Sequence, residues 1–398
     1  MSVSSQSRDC PVCGSRPGRR FFRQEFAAID QATPVTGYEV VVCGRCGCGY
    51  ADGIPDQAAF DQYYRDMSKY EYSQRGGAES EFDRRRLALI ADIVAAHLPS
   101  PDLRILDVGC ASGRLLANLR DRGCPNVTGL DPSPACAAAA ARLYSIDVRT
   151  TTLAGIAQTG EQFDVIILVG VLEHLRDLEG AFAQLRSLLS PSGLLYVEVP
   201  DVTAFADWTN APYQDFSTEH INFFSPVSLT NLMLRHGFAR VFLEQNHREQ
   251  SYRTVMSNVS AVYRKGSLTT PELAFDADTA TGLERYISAC AADDQRLRAK
   301  IDAVVDEKRQ ILVWGVGTHT GRLMATSRLA QAQIVAFIES NSRYHGRMLQ
   351  GRPILSPQAL KNHTEPVLVS SRVFQQEIAE QIRNDLGCPN ELILLYNV

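Results

Sequence analysis

The feature that most constrains this chain is a short run near its first third. Arg104–Val108 is rich in branched residues, the turn D-V-G-C-A-S-G follows from Asp107 to Gly113, and a helical stretch runs from Arg114 to Arg122. A strand that ends in a glycine turn and reverses into a helix is the first unit of a doubly wound α/β sheet. The alternation then continues. Val127–Leu130 reads as a second strand, ending at Asp131, and Pro134–Leu143 as a helix whose alanine run suits close packing. Strands follow at Asp147–Arg149, Phe163–Val169 and Gly193–Val199, with an amphipathic stretch at Leu172–Leu189 between the last two. A helical spacing over Ser80–Leu98 precedes the first strand. The fold class is α/β, with the doubly wound core spanning residues 76–265.

The glycine turn also limits the ligand. Gly109 and Gly113 give G-x-x-x-G, which lacks the middle glycine that lets a backbone wrap a pyrophosphate. Asp131, at the end of the second strand, is placed to accept from the two hydroxyls of a ribose. Asp107, before the turn, is placed to accept from an ammonium group. A ribose, a cationic amino acid and no phosphate are the needs of S-adenosylmethionine.

Cysteine usage sets off a separate N-terminal part. Of the ten cysteines, Cys10, Cys13, Cys43, Cys46 and Cys48 lie before residue 50. The pairs C-P-V-C and C-G-R-C put four thiolates within reach of one tetrahedral Zn²⁺ in a closed, structural site. Gly14, Gly44 and Gly47 suit the tight turns of such knuckles. The 29 residues between Cys13 and Cys43 must hold a hairpin of their own, with Val40–Val42 in one strand. Cys48 is a spare; the commoner C-x-x-C spacing favours Cys46 as the fourth ligand. Residues 1–75 therefore read as a zinc-binding module. Met1–Asp9 is polar and carries no apolar segment, so a reducing, cytoplasmic setting is expected.

Two classes of partner are disfavoured by composition. The 398 residues carry 40 basic and 45 acidic side chains, a net charge of −5, which does not suit a protein that tracks phosphates along a nucleic acid. The longest apolar stretch, Val165–Leu172, is far short of the roughly 20 residues that span a bilayer. Neither nucleic acid nor membrane is an expected partner.

Beyond the core, Gly266–Thr281 is a polar linker and a charged helix covers about Ala280 to Arg309. A second strand–turn–helix start follows at Ile311–Trp314 and G-V-G-T-H-T-G, with the strand Gln333–Ile338 ending at Glu339. The spacing mimics a dinucleotide fingerprint but is relaxed, and no useful NAD binding is expected. Val367–Ser370 and Leu392–Tyr396 supply later strands. Residues 266–398 thus read as a linker helix and a C-terminal Rossmann-like domain.

The runs I-L-D-V-G-C-A-S-G, L-D-P-S and F-D-V-I-I-L-V-G-V-L-E-H-L resemble the class I S-adenosylmethionine-dependent methyltransferases. That resemblance implies a cofactor held against Asp107, Gly109, Cys110 and Gly113, its ribose on Asp131, and its adenine near Pro132 or Thr152. It implies that Val169, Gly170 and Val171 line the methionine end. Tyr63 and Tyr64, in a loop before the core, either close over the cofactor or simply pack. A cysteine-rich module, this core and a small α/β domain, in that order, resemble the three-domain sugar C-methyltransferases. The family methylates carbon beside a ketone in nucleotide-linked deoxysugars. The resemblance implies a structural zinc and a nucleotide-sugar between the core and the C-terminal domain.

C-methylation beside a carbonyl needs a base for the α-proton and donors for the enolate oxygen. Glu219 and His220, in S-T-E-H-I-N-F-F-S (Ser217–Ser225), resemble the family's E-H pair, which supplies the base and its neighbour. His174, in V-L-E-H-L, is a candidate to steady the oxyanion, and Tyr70 and Tyr72 are candidates for sugar contact. The chain also departs from the family. Ser217 and Thr218 stand where a tyrosine and a histidine are common, and a later glycine-rich H-G-G-S-like stretch has no good counterpart, the nearest region being Asn246–Ser251. O-methylation of a sugar hydroxyl, and a zinc-bearing module that only binds, remain the alternatives.

Overall fold

The strand Ile105–Val108 is buried along its whole length and lies inside a seven-stranded sheet. A computed structural model describes residues 7–16, 18–30, 32–67, 77–208, 210–251 and 254–396. Across the sheet the order is Phe238–Ser251, Thr254–Lys265, Leu189–Pro200, Phe163–Val169, Ile105–Val108, Val127–Leu130, Val148–Arg149. Only Thr254–Lys265 runs antiparallel to its neighbours. The order reverses between Ile105–Val108 and Phe163–Val169, so a crevice opens at the carboxyl ends of these two strands, where doubly wound sheets take ligands.

Two local expectations are corrected, and Asn246–Ser251 proves to end the first strand of a long hairpin, Phe238–Ser251 paired with Thr254–Lys265. That strand is an edge and mostly exposed, so its sequence is polar and lacks a strand's apolar alternation. Leu172–Leu189 is not one helix. It opens with a short 3₁₀ turn, Leu172–His174, and the α-helix begins at Leu178 because the Asp177 carboxylate caps it by accepting from the Gly180 amide. Tyr63 and Tyr64 lie on a helix, Gln57–Met67, rather than in a loop.

The expected N-terminal hairpin forms from Gly18–Glu25 and Gly37–Cys43, and Gly49–Asp52 pairs with the latter. The fourth strand of this sheet is Asn222–Phe223, which comes from the core segment. The N-terminal sheet therefore takes one strand from the loop that follows the core's fifth strand. Helix Gln57–Met67 reaches the other way. Its Phe60 packs with the N-terminal sheet, while Tyr63 and Met67 pack with the C-terminal part.

The charged helix spans Ala277–Asp306, three residues earlier than its sequence suggests. Its start is fixed by Asp276, a fully buried N-cap whose carboxylate accepts from the Thr279 amide, the Thr279 hydroxyl and the Ser225 hydroxyl. The Asp276 amide donates to Cys46 O, and a Cβ on Gly47 would stand 2.0 Å from Asp276 O. The helix start is thus seated directly on the second cysteine knuckle. Beyond it, a six-stranded sheet has the order Met348–Leu349, Arg352–Leu355, Gln333–Ile338, Gln310–Trp314, Val367–Val369, Leu392–Leu394. No described helix is long and apolar enough to cross a membrane.

Asp276→Ala leaves three buried donors without an acceptor and removes a helix cap. We expect it to cost about 2–4 kcal/mol in urea unfolding. An unchanged midpoint would show that the knuckle–helix junction contributes nothing to stability.

Candidate functional site

The glycine turn adopts a conformation that its sequence requires. Gly109 and Gly113 have φ of 74° and 77°, and Ala111 between them also lies in the left-handed region at 48°. The Ala111 conformation is held by Asp131: Oδ2 accepts from the Ala111 amide at 3.0 Å and Oδ1 from the Ser133 amide at 2.9 Å. Asp107 is buried on the same side. Burial, and then the nearby Asp131 charge, push its carboxyl well above the usual carboxylate range. Two buried carboxylates facing one another favour a cationic guest between them.

The other expected cofactor residues divide. Pro132 is half-buried beside Asp131, and Val169 and Gly170 are half-buried at the end of their strand. A Cβ on Gly109 would stand 3.1 Å from Val171 Cγ2, so the glycine turn and the segment after Phe163–Val169 form one wall. Cys110 points away, its Sγ lying 2.6 Å from where a Gly129 Cβ would be. Only its backbone is left to meet a ligand. Thr152 is exposed, and its hydroxyl accepts from the Gly155 amide as a helix cap.

Val171 leads into the Glu173–His174 turn, and here the expected catalytic residues meet. The His174 and His220 rings are 4.9 Å apart, edge to face. His174 Nδ1 lies 3.1 Å from the Glu219 carbonyl oxygen and 2.9 Å from the Tyr64 hydroxyl. The Tyr63 hydroxyl donates to Glu219 Oε1 at 2.9 Å, and burial raises its pKa well above the ordinary value, so it keeps its proton. Glu173 Oε1 stands 3.8 Å from His174 Nε2, and both residues are buried.

The loop carrying Glu219 and His220 is pinned from both sides. The Ser217 hydroxyl accepts from the amides of Glu219 and His220, so the residue that departs from the family pattern folds the loop on itself. From the N-terminal module, Tyr38 donates to Ser217 O, Gln24 to Phe216 O, and the buried Arg8 to Ile221 O and Asn222 Oδ1. From the core, the Asn222 side-chain amide donates to Leu172 O and Leu175 O, and the Ile221 amide to Glu173 O. Nothing in the sequence pointed to Arg8, Gln24 or Tyr38, whose partners lie nearly 180 residues or more away. Glu173 was signalled only by adjacency to His174.

The C-terminal part closes the far side. The Thr218 hydroxyl lies 3.2 Å from the Thr318 hydroxyl in the G-V-G-T-H-T-G turn. In that turn Glu339 accepts from the amides of Val316 and Asn341, and burial raises its pKa. Tyr70 and Tyr72 lie outside the described residues.

Cys10, Cys13, Cys43 and Cys46 bring their sulfurs within 4.8 Å of one another. Two of the distances are 3.6 Å (Cys10–Cys46) and 3.5 Å (Cys13–Cys43). Four ligands at the usual Zn–S length would give edges of about 3.8 Å, so the donor set fits zinc. Hydrogen bonding from Cys46, then from Cys48, holds the Cys10 thiol well below its ordinary range, while Cys46, on the other end of that bond, is pushed up.

Residues 82–242 match the family model described as a methyltransferase domain, and residues 307–394 match one described as C2185-like, N-terminal. A ubiquinone biosynthesis O-methyltransferase of Chelativorans is 37% identical over 131 residues, 29% of this chain and 51% of that protein. One from Bartonella tribocorum is 31% identical over 157 residues, 36% of this chain and 63% of that protein. The chain spans about half the length of the first of these curated relatives. Among solved structures, a Burkholderia thailandensis 1,6-didemethyltoxoflavin-N1-methyltransferase shares 17% identity at a TM-score of 0.41, covering 57% of this chain and 98% of its own. The magnesium protoporphyrin IX methyltransferase of Synechocystis shares 17% at 0.39, covering 51% and 97%. The core is a class I S-adenosylmethionine-dependent methyltransferase fold.

Metal analysis of the purified protein is expected to find one zinc per chain, lost when Cys43→Ser and Cys46→Ser are combined. Normal zinc in the double variant would place the ion elsewhere.

Proposed function

We propose that this chain transfers a methyl group from S-adenosylmethionine to a carbon beside a ketone in a nucleotide-linked keto-deoxysugar, through an enolate. The observation that carries the reading is the gathering of His220, Glu219 and His174 at the crevice, one residue wall from the glycine turn through Val171. In this reading zinc is structural, and the ion only holds the module that braces the catalytic loop.

The cofactor's ammonium group would sit against Asp107 and its ribose against Asp131. Both aspartates are buried, and burial together with the Asp131 charge raises the Asp107 carboxyl, an environment that a cationic ligand stabilises. His220 removes the α-proton. The Glu219 carboxylate, held by Tyr63, lies next to it in the chain and balances the imidazolium that forms. His174 supplies the enolate's donor. A carbonyl oxygen can only accept, so the Glu219 contact assigns a proton to His174 Nδ1. To donate from Nε2 as well the ring must be protonated, and Glu173 Oε1 at 3.8 Å is then an ion-pair partner. Thr218 against Thr318 supports a nucleotide-sugar lying between the core and the C-terminal part.

A second reading, methylation of a hydroxyl, is favoured by the O-methyltransferase names of the curated relatives. It needs a base but no oxyanion donor.

Two measurements test these assignments. Asp131→Ala should weaken S-adenosylmethionine binding by roughly 1.5–3 kcal/mol in calorimetry; unchanged affinity would exclude Asp131 as the ribose acceptor. In deuterated water, with S-adenosylhomocysteine in place of the methyl donor, a keto-sugar nucleotide should exchange its α-proton. His220→Ala should slow that exchange by about 10²–10⁴-fold, the usual contribution of a general base. Exchange that survives His220→Ala removes this histidine from the mechanism, and methyl transfer to oxygen moves the enzyme to the second reading.

A further inference from the structure

A cavity of about 370 Å³ opens at the junction of the N-terminal module with the core, behind the catalytic loop. Arg8, Arg16, Arg176 and Arg235 line it. Two of these cations are already engaged, since Arg16 pairs with Asp9 and Arg235 with Glu179. The remaining acidic group on the wall, Asp177, has its Oδ1 on the Gly180 amide as a helix cap. Among the described residues no carboxylate pairs directly with the Arg8 or Arg176 guanidinium, and Asp52, Asp56 and Asp177 act on Arg176 only from farther off. Arg8 is 3% exposed, and its Nε and Nη1 are buried with no hydrogen-bond partner among the described residues; Arg176 Nε is in the same condition. The neighbouring Asp52 does not resolve this, because its carboxylate accepts from the Arg8 amide and the Ser7 hydroxyl rather than from the guanidinium.

We propose that this cavity binds a phosphate group, as inorganic phosphate or the end of a small phosphomonoester, at a site separate from methyl transfer. Arg176 can meet a tetrahedral dianion with a bidentate pair, while Arg8, whose Nη2 is already engaged, has single donors left at Nε and Nη1. The volume leaves room for a small organic group behind the phosphate.

Occupancy of the site acts on the catalytic loop through the same arginines. Arg8 Nη2 donates to Ile221 O at 2.5 Å and to Asn222 Oδ1 at 2.8 Å, directly after His220. Arg176 follows the turn that carries Glu173 and His174, and Asn222 is bonded to that turn at Leu172 O and Leu175 O. A dianion gripped by both arginines therefore ties the two histidine-bearing segments together from behind.

The test uses the zinc-loaded full chain in phosphate-free buffer at fixed ionic strength. Inorganic phosphate and ribose 5-phosphate are titrated calorimetrically into the parent and into Arg176→Gln. Amide exchange over residues 217–223 is followed in the same samples. Arg176 makes no side-chain hydrogen bond that folding depends on, and an unchanged melting temperature without ligand confirms that the variant is intact. The expected result is binding to the parent, weakened about tenfold or more in Arg176→Gln, with slower loop exchange in the parent only. Tighter binding of ribose 5-phosphate identifies a phosphomonoester site, and equal binding a phosphate site. No heat from either probe with the parent, or equal affinity in the variant, overturns the proposal.

Discussion

The pairing of Asn222–Phe223 with Gly49–Asp52 is the interaction on which the rest of the site depends. A loop that carries Glu219 and His220 into a dry crevice must satisfy its own backbone groups there, since an unpaired buried amide or carbonyl costs about as much as a lost hydrogen bond. The core alone does not supply enough partners. The N-terminal module does, through a short strand pairing and through Arg8, Gln24 and Tyr38. The cysteine knuckles stand at the base of this brace: Cys43 ends the strand Gly37–Cys43, and Cys46 receives the Asp276 amide that starts the long helix. A structural metal there would be remote from the chemistry in the chain and close to it in mechanical consequence.

Electrostatics arranges the other half of the crevice. Asp107 and Asp131 are both buried and repel one another, an arrangement that lowers stability unless it is matched by a ligand. Asp131 cannot be spared, because it holds Ala111 in its left-handed conformation and so shapes the turn. The carboxylate that folds the turn therefore also sets the charge that a cationic ligand would meet there. Gly109 lets Val171 lie against this turn, so the glycine turn and the segment leading to His174 are in direct contact.

Much of the core was legible because its strands are short, buried and bounded by turn residues. Val127–Leu130 and Phe163–Val169 appear with the limits that their sequences indicate. The edge strand Phe238–Ser251 was not legible, since a strand with a solvated face shows no apolar alternation. The split at Asp177 was missed for a different reason: the apolar spacing continues through Leu172, and only the capping contact reveals where the α-helix begins. At the site, residues with a chemical signature of their own, such as the four cysteines and the E-H pairs, could be read directly. Arg8, Tyr38 and Thr318 could not, because their roles exist only once distant segments meet.

The two glycine turns make the limits of motif reading concrete. In both, an acidic residue at the end of the second strand accepts from an amide of the turn: Asp131 from Ala111, and Glu339 from Val316. Glu339 spends its second oxygen on Asn341, as Asp131 does on Ser133. The shared geometry shows that the fingerprint's acidic position closes the turn in either case, whether or not a ribose follows. What differs is the surrounding charge. Asp131 faces a second buried carboxylate, Asp107, and so calls for a cation. Glu339 has His345 nearby, with its Nε2 on Glu339 O, and the turn before it carries the buried His319 against Tyr396. Under the proposed function a cationic cofactor would sit at the first turn, while the second faces the loop at Thr218.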